Sequence, residues 1–236
     1  MMIKTLKLKP LRASMRGWMC GAAIMAMASL SACSQAPYQQ AMSTSSSASM
    51  VTAQARGVSA QANSLVSSLK ALTTTTGALN KPYANFTSAL AGFKSSFSSL
   101  KGRIATMLGH QKAYLASWNK ENNSISNASI KKVAMARYNA AAGDFANVQK
   151  QSDSVITSGD SFVTYMDDLN TYLSTDLNSS GLASGEPLFS KADTKAAALK
   201  SDLATLETGM KKVSADFATS GHPAAPVAKP KSSGWW

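Results

Sequence analysis

The chain has 236 residues, 44% of them hydrophobic and only 15% charged, with 24 Lys plus Arg against 12 Asp plus Glu. That length suffices for one or two domains. Two histidines, His110 and His222, stand far apart with no carboxylates clustered around them, which argues against a metal site. No G-x-S-x-G, phosphate-binding glycine loop or metal-ligand spacing occurs, so neither a catalytic residue nor a cofactor is expected.

Residues 1–17 carry Lys4, Lys7, Lys9, Arg12 and Arg16 without an acid, and an apolar run follows from Trp18 to Leu30. This is the charged region, short apolar region and small-residue end of an export signal. The run has about 13 residues, too few for the roughly 20 that cross a hydrocarbon core. It closes on Leu30-Ser31-Ala32-Cys33, which reads as a lipoprotein cleavage box between Ala32 and Cys33. Cys33 would accept the lipid, and two or more acyl chains hold a protein firmly where one holds it marginally. In known lipoproteins a residue other than Asp after the cysteine, here Ser34, implies delivery to the outer membrane. Removing residues 1–32 discards five cations and Cys20, so the formal charge of +12 falls to +7 and the remaining cysteine, Cys33, is taken by the lipid. No disulfide is then available, even in an oxidising periplasm.

Residues 33–47 are small and polar and read as a flexible spacer. A heptad rhythm follows at Val51, Val58, Ala62, Leu65, Leu69 and Leu72, ended by Thr73–Thr76 and Gly77. Asn80-Lys81-Pro82 predicts a helix start, with Asn80 as cap and Pro82 in the first turn. Its seam is Phe86, Leu90, Phe93, Phe97, Leu100, Ile104, Met107, Gln111, Leu115 and Trp118. Ser126 or Asn127 caps a third helix with the seam Ala134, Tyr138, Ala141, Phe145, Val148, Ser152, Val155, Gly159, Phe162, Met166, Leu169 and Leu173. Ser152 and Gly159 thin that seam at its centre and predict either a kink or a close helix approach, the second being preferred. Residues 178–185 read as a loop and Glu186-Pro187 as the opening of a last helix. Its seam is Phe189, Ala192, Ala196, Leu199, Leu203, Leu206, Met210, Val213 and Phe217. Residues 220–236 form a proline-rich tail that cannot pack.

Spacings of three and four in every segment predict an all-α protein, an elongated antiparallel up-and-down bundle of three to four long helices with coiled-coil-like packing over residues 48–219. The alternative is a coiled coil with a partner chain, since heptads look alike within and between chains. Oligomers therefore remain open.

Trp118-Asn-Lys-Glu121, followed by Asn127-Ala-Ser-Ile130 and a long helix opening Lys131-Lys132, resembles a family of long-helix bacterial envelope proteins of unassigned function. The resemblance covers roughly residues 83–217 and includes Tyr138. It implies architecture alone. The chain departs at Asp167-Asp168, where that family tends to carry a Lys-His stretch.

Trp118 and Glu121 lie one turn apart and are expected to build a structural corner, with Glu121 bridging to Lys131 or Lys132. The acids Asp144, Asp153, Asp160, Asp167, Asp168 and Asp176 are spread along one helix, a solvated face rather than a cation site needing converging oxygens. Between Ser34 and Lys120 stand eight cations and no acid, while all twelve acids follow. The simpler reading pairs the basic half with the acidic half in the bundle; the other turns a basic face to anionic lipid or cell-wall polymer. In the tail, Lys229, Lys231, Trp235 and Trp236 combine cations with amphipathic rings suited to an envelope surface or partner groove. The expected role is a non-enzymatic lipid-anchored tether, spacer or scaffold facing the periplasm, touching the membrane and an envelope protein or cell-wall partner but no nucleic acid. The alternative is an accessory lipoprotein of an envelope transport or secretion assembly, which an exposed apolar stripe would favour.

Overall fold

The computed structural model describes the backbone of residues 37–219 and the side chains of residues 39–215. Four helices fill that span: α1 Pro37–Thr74, α2 Asn80–Ser124, α3 Ala128–Thr175 and α4 Ser179–Thr219. Loops 75–79, 125–127 and 176–178 are too short for anything but antiparallel neighbours. α1 packs on α2 and α4, and α3 packs on the same two, which closes a square of helices with no strand among the described residues.

Each helix turns one seam to the common axis. Buried positions in α1 run Ala41, Thr44, Ala48, Val51, Ala55, Val58, Ala62, Leu65, Leu69 and Leu72. In α2 they run Phe86, Leu90, Phe93, Phe97, Leu100, Ile104, Met107, Gln111 and Tyr114. Spacings of three and four alternate without interruption. That repeat of 3.5 residues per turn keeps each stripe facing its partners and gives a left-handed supercoil. The seams close within one chain, so the bundle needs no partner to form its core.

The segment expected as a spacer is helical from Pro37 onward, and the bundle begins there rather than at residue 48. Ala41, Thr44 and Ala48 continue the period with small side chains. Their hydroxylated neighbours cost little to bury, because Thr44 donates to the Gln40 carbonyl at 2.8 Å and Ser47 to the Ser43 carbonyl at 2.8 Å. Asn80 does not cap α2. Leu79 occupies that place in a right-handed helical conformation without a side-chain cap, and the helix takes up Asn80 as its first residue. The inward position after Gln111 is Tyr114 rather than Leu115, which is half-buried beside it. In α3 the first seam residues, Ala134, Tyr138 and Ala141, are only half-buried, and full burial starts at Phe145.

The predicted loop at 178–185 is also overturned, because α4 starts at Ser179 and contains Pro187. Asn178 opens it, its side chain accepting from the Gly181 amide at 2.9 Å and its carbonyl from the Leu182 amide at 2.9 Å. Leu182 and Gly185 extend the seam back from Phe189, so packing outweighs the composition of the segment. Pro187 removes only the donor to Ala183, whose exposed position leaves that carbonyl to water. Tyr172 Oη donates to the Gly181 carbonyl and Tyr165 Oη to the Leu188 carbonyl at 2.9 Å, tying α3 to this first stretch of α4.

At the centre the structure decides for close approach. A Cβ on Gly159 would lie 2.1 Å from Phe97 Cζ, so the ring occupies the space a side chain would fill. Phe97 stacks on Phe93 at 5.9 Å between centroids, and Phe93 meets Phe162 edge-on at 5.1 Å.

Candidate functional site

Ala32, Cys33, Lys229, Lys231, Trp235, Trp236 and Phe217, expected on the last seam, lie outside the residues whose side chains are described. What the fold supplies is the end of the bundle from which the chain leads back to Cys33. Register between α1 and α2 is fixed by His110 Nδ1 and Ser47 Oγ, 3.3 Å apart, and by Gln54 Nε2 donating to the Ser96 carbonyl at 3.1 Å. From Ser47 the first residue of α1, Pro37, lies ten positions back, about 15 Å along the axis. From His110 the last residue of α2, Ser124, lies fourteen positions on, about 21 Å in the same direction. The same count from Gln54 and Ser96 gives about 26 Å and 42 Å, so the corner between α2 and α3 stands about 6–17 Å beyond the start of α1.

That corner is built from Tyr114, Trp118 and Asn122 of α2, Asn127 of the loop and Tyr138 of α3. Asn127 caps α3, its side chain accepting from the Ser129 amide at 3.0 Å and the Ile130 amide at 3.1 Å. Trp118 packs between Tyr114 at 5.4 Å and Tyr138 at 5.9 Å, and Tyr114 reaches Phe145 at 6.3 Å. Asn122 donates to the Ala134 carbonyl at 3.4 Å. Lys131 Nζ crosses the loop to the Asn123 carbonyl at 3.4 Å, so the bridge expected from Glu121 is made by the backbone instead. Burial pushes the Tyr114 phenol up from its ordinary pKa, with Glu121 adding to the rise and Arg137 opposing it.

Outside this aromatic cluster the surface changes character. Ile130 and Val133 are 59% and 63% exposed. Lys120, Lys132 and Arg137 are exposed at the same corner, and among the described residues none of the three forms an ion pair. Residues 112–138 hold five cations and the single acid Glu121. The sequence identified Trp118 and the lysines as a corner but missed this apolar exposure. Its signal is Val133, which falls one residue off the seam position Ala134 and three after Ile130.

Elsewhere the charges pair across the helices. Arg56 meets Glu207 at 3.0 Å, Lys70 meets Asp193 at 3.0 Å, and Lys94 and Lys101 meet Asp167 and Asp160 at 2.8 Å each, so the basic first half binds the acidic second half. Asp144 pairs with Lys212. Three acids of α3 thus serve the bundle. Among the described residues no group of three or more His, Cys, Asp or Glu side chains converges, and no helix is long and apolar enough to cross a membrane. A shallow groove of about 460 Å³ runs between α3 and α4, with Gln151, Ser154, Thr205 and Thr208 on its walls and Val148 and Val213 beneath.

Comparison with family models, with curated proteins and with solved structures finds no match to this chain.

Proposed function

We propose that the chain is a lipid-anchored protein of a bacterial envelope, held through Cys33, whose bundle acts without catalysis as a spacer, tether or interaction scaffold in the periplasm. The observation that carries this reading is the box Leu30-Ser31-Ala32-Cys33 closing an export signal four residues before α1. Delivery to the outer membrane belongs to the same proposal, since Ser34 follows the cysteine. So does kinship with the long-helix envelope proteins, through Trp118, Glu121 and Asn127. The fold supports a spacing role because α3, at 48 residues, is a rod about 72 Å long. Its seams are satisfied internally. Among the described residues the exposed large apolar side chains are Met50, Ile130, Val133 and Leu188, scattered apart from the pair at the corner. No stripe runs the length of the bundle, which favours the spacer over an accessory subunit docked along its side.

The test is Cys33→Ala in the producing cell, followed by fractionation and labelling with a palmitate analogue. Release from membranes with loss of label supports the anchor. A variant that still fractionates with membranes and still takes up label refutes it. Removing residues 222–236 examines the tail separately: weaker retention of the unlipidated protein on envelope fractions supports a surface role for Lys229, Lys231, Trp235 and Trp236, and equal retention removes it.

A further inference from the structure

We propose that the corner between α2 and α3 is a second membrane contact, a foot that rests on anionic lipid headgroups beside the acylated Cys33. The inference builds on the anchor reading and deepens it by naming what the bundle touches. Two independent features of the structure lead to it. The first is position. Cys33 precedes Pro37 by four residues, a reach of at most about 14 Å, and the α2–α3 corner projects about 6–17 Å beyond Pro37 along the bundle axis. A surface that holds the lipid is therefore within reach of the corner, while the α1–α2 and α3–α4 loops lie at the far end of rods about 55 Å or more long.

The second feature is chemistry. Ile130 and Val133 lie in the first turns of α3, more than half exposed, at a corner that also exposes Lys120, Lys132 and Arg137. Apolar side chains flanked by cations are what an interfacial helix turn presents to headgroups: the apolar groups enter the acyl boundary and the cations meet phosphate. Among the described residues the opposite end exposes one large apolar side chain, Leu188, at 39%. Residues 73–83 and 172–188 together hold one cation, Lys81, and two acids, Asp176 and Glu186. The charge difference between the ends is sharpened by pairing along the rod, where Arg56, Lys70, Lys94 and Lys101 are engaged by acids across the bundle. The aromatic cluster of Tyr114, Trp118 and Tyr138 and the Asn127 cap hold the corner rigid, so contact needs little ordering.

The test uses the chain from residue 33 with Cys33→Ala, which has no acyl chain, and vesicles of phosphatidylglycerol mixed with phosphatidylcholine against phosphatidylcholine alone. Binding to the anionic vesicles, weakening as salt shortens the Debye length below about 8 Å, is expected. Lys132→Glu/Val133→Ser should reduce it by at least about tenfold. The matched pair Lys81→Glu/Leu188→Ser, at the far end, should leave it unchanged. Both variants alter exposed side chains, and an unchanged helical melt for each shows that the fold is kept. Equal binding by the two variants overturns the proposal, as does a parent chain that binds isolated cell-wall polymer and ignores the vesicles. Because the protein tested carries no lipid, this outcome is separate from the labelling at Cys33: loss of the anchor assignment with vesicle binding intact keeps the foot, and the reverse keeps only the anchor.

Discussion

Replacing Gly159 with Ala should destabilise the bundle, although the same change in an exposed helix stabilises by about 1 kcal/mol. The added Cβ would stand 2.1, 2.3 and 2.9 Å from three atoms of the Phe97 ring. That ring has nowhere simple to go: it is 2% exposed, stacked on Phe93 at 5.9 Å, with Lys101 Nζ 5.1 Å from its centroid. Overfilling a packed core costs about 1–3 kcal/mol, and the wedged ring places this site near the upper end. After the gain in helix propensity, a net loss of about 2 kcal/mol remains, or about 4–8 °C in Tm for a domain of this size. Gly209→Ala is the contrast. Its Cβ would meet Gln151 Oε1 at 2.1 Å, but that atom ends a flexible side chain on the groove wall and can swing away, so this variant should gain up to about 1 kcal/mol. Phe97→Leu removes the outer ring atoms, so Gly159→Ala/Phe97→Leu should be more stable than the two single losses add up to. Chemical denaturation of all four variants decides the matter. A Gly159→Ala protein as stable as the parent, or losses additive to within about 0.5 kcal/mol, would refute close approach at this level.

Truncating Phe93, Leu203 or Leu206 to Ala should cost about 2–5 kcal/mol each, read from denaturation midpoints, since all three are 1% exposed or less. Unchanged midpoints at all three would mean that the stripes face solvent or a partner. Gln111→Met should raise the melting temperature, because Gln111 is 3% exposed and its Nε2 has no partner within the bundle, and an unpaired buried amide costs about 1–3 kcal/mol. A lower melting temperature would show that the amide is satisfied. The raised pKa of Tyr114 means that the folded state disfavours the phenolate; its contribution is complete below the unfolded value near 10 and is lost as pH climbs through the higher folded value. Tyr114→Phe should therefore flatten the alkaline fall in stability, and an identical alkaline limb in both proteins would exclude Tyr114 as its source.

Much of the fold was legible in the residues because large apolar side chains at spacings of three and four fall on one stripe of a helix, whereas a strand would scatter them over both its faces. Phe86 through Met107 and Leu199 through Val213 lie on the seams read from sequence, and Asn127 caps α3 as its side chain predicts. The two misread helix boundaries share one cause. Residues 37–47 and 178–185 are rich in Ser, Thr, Ala and Gly, which score as loop or linker by composition. They nevertheless carry Ala41, Thr44, Leu182 and Gly185 in phase with the seams that follow, and small residues in phase are what a tight four-helix end needs. Local propensity is worth a few tenths of a kcal/mol per residue, so neighbouring helices override it.

The sequence by itself determined the helical period and the contrast between a basic first half and an acidic second, and it alone carries the reading of an export signal ending at Cys33. These are properties of order and spacing along one chain. Only the tertiary structure decided how the charges are spent and where the remainder lies. Antiparallel packing sets Arg56, Lys70, Lys94 and Lys101 against acids more than fifty residues away, and folds the α2–α3 corner back beside the end that leads to Cys33. Whether Ile130 and Val133 are buried or exposed likewise depends on which helices reach their level, because a seam is apolar in sequence but becomes a core only where a neighbour covers it.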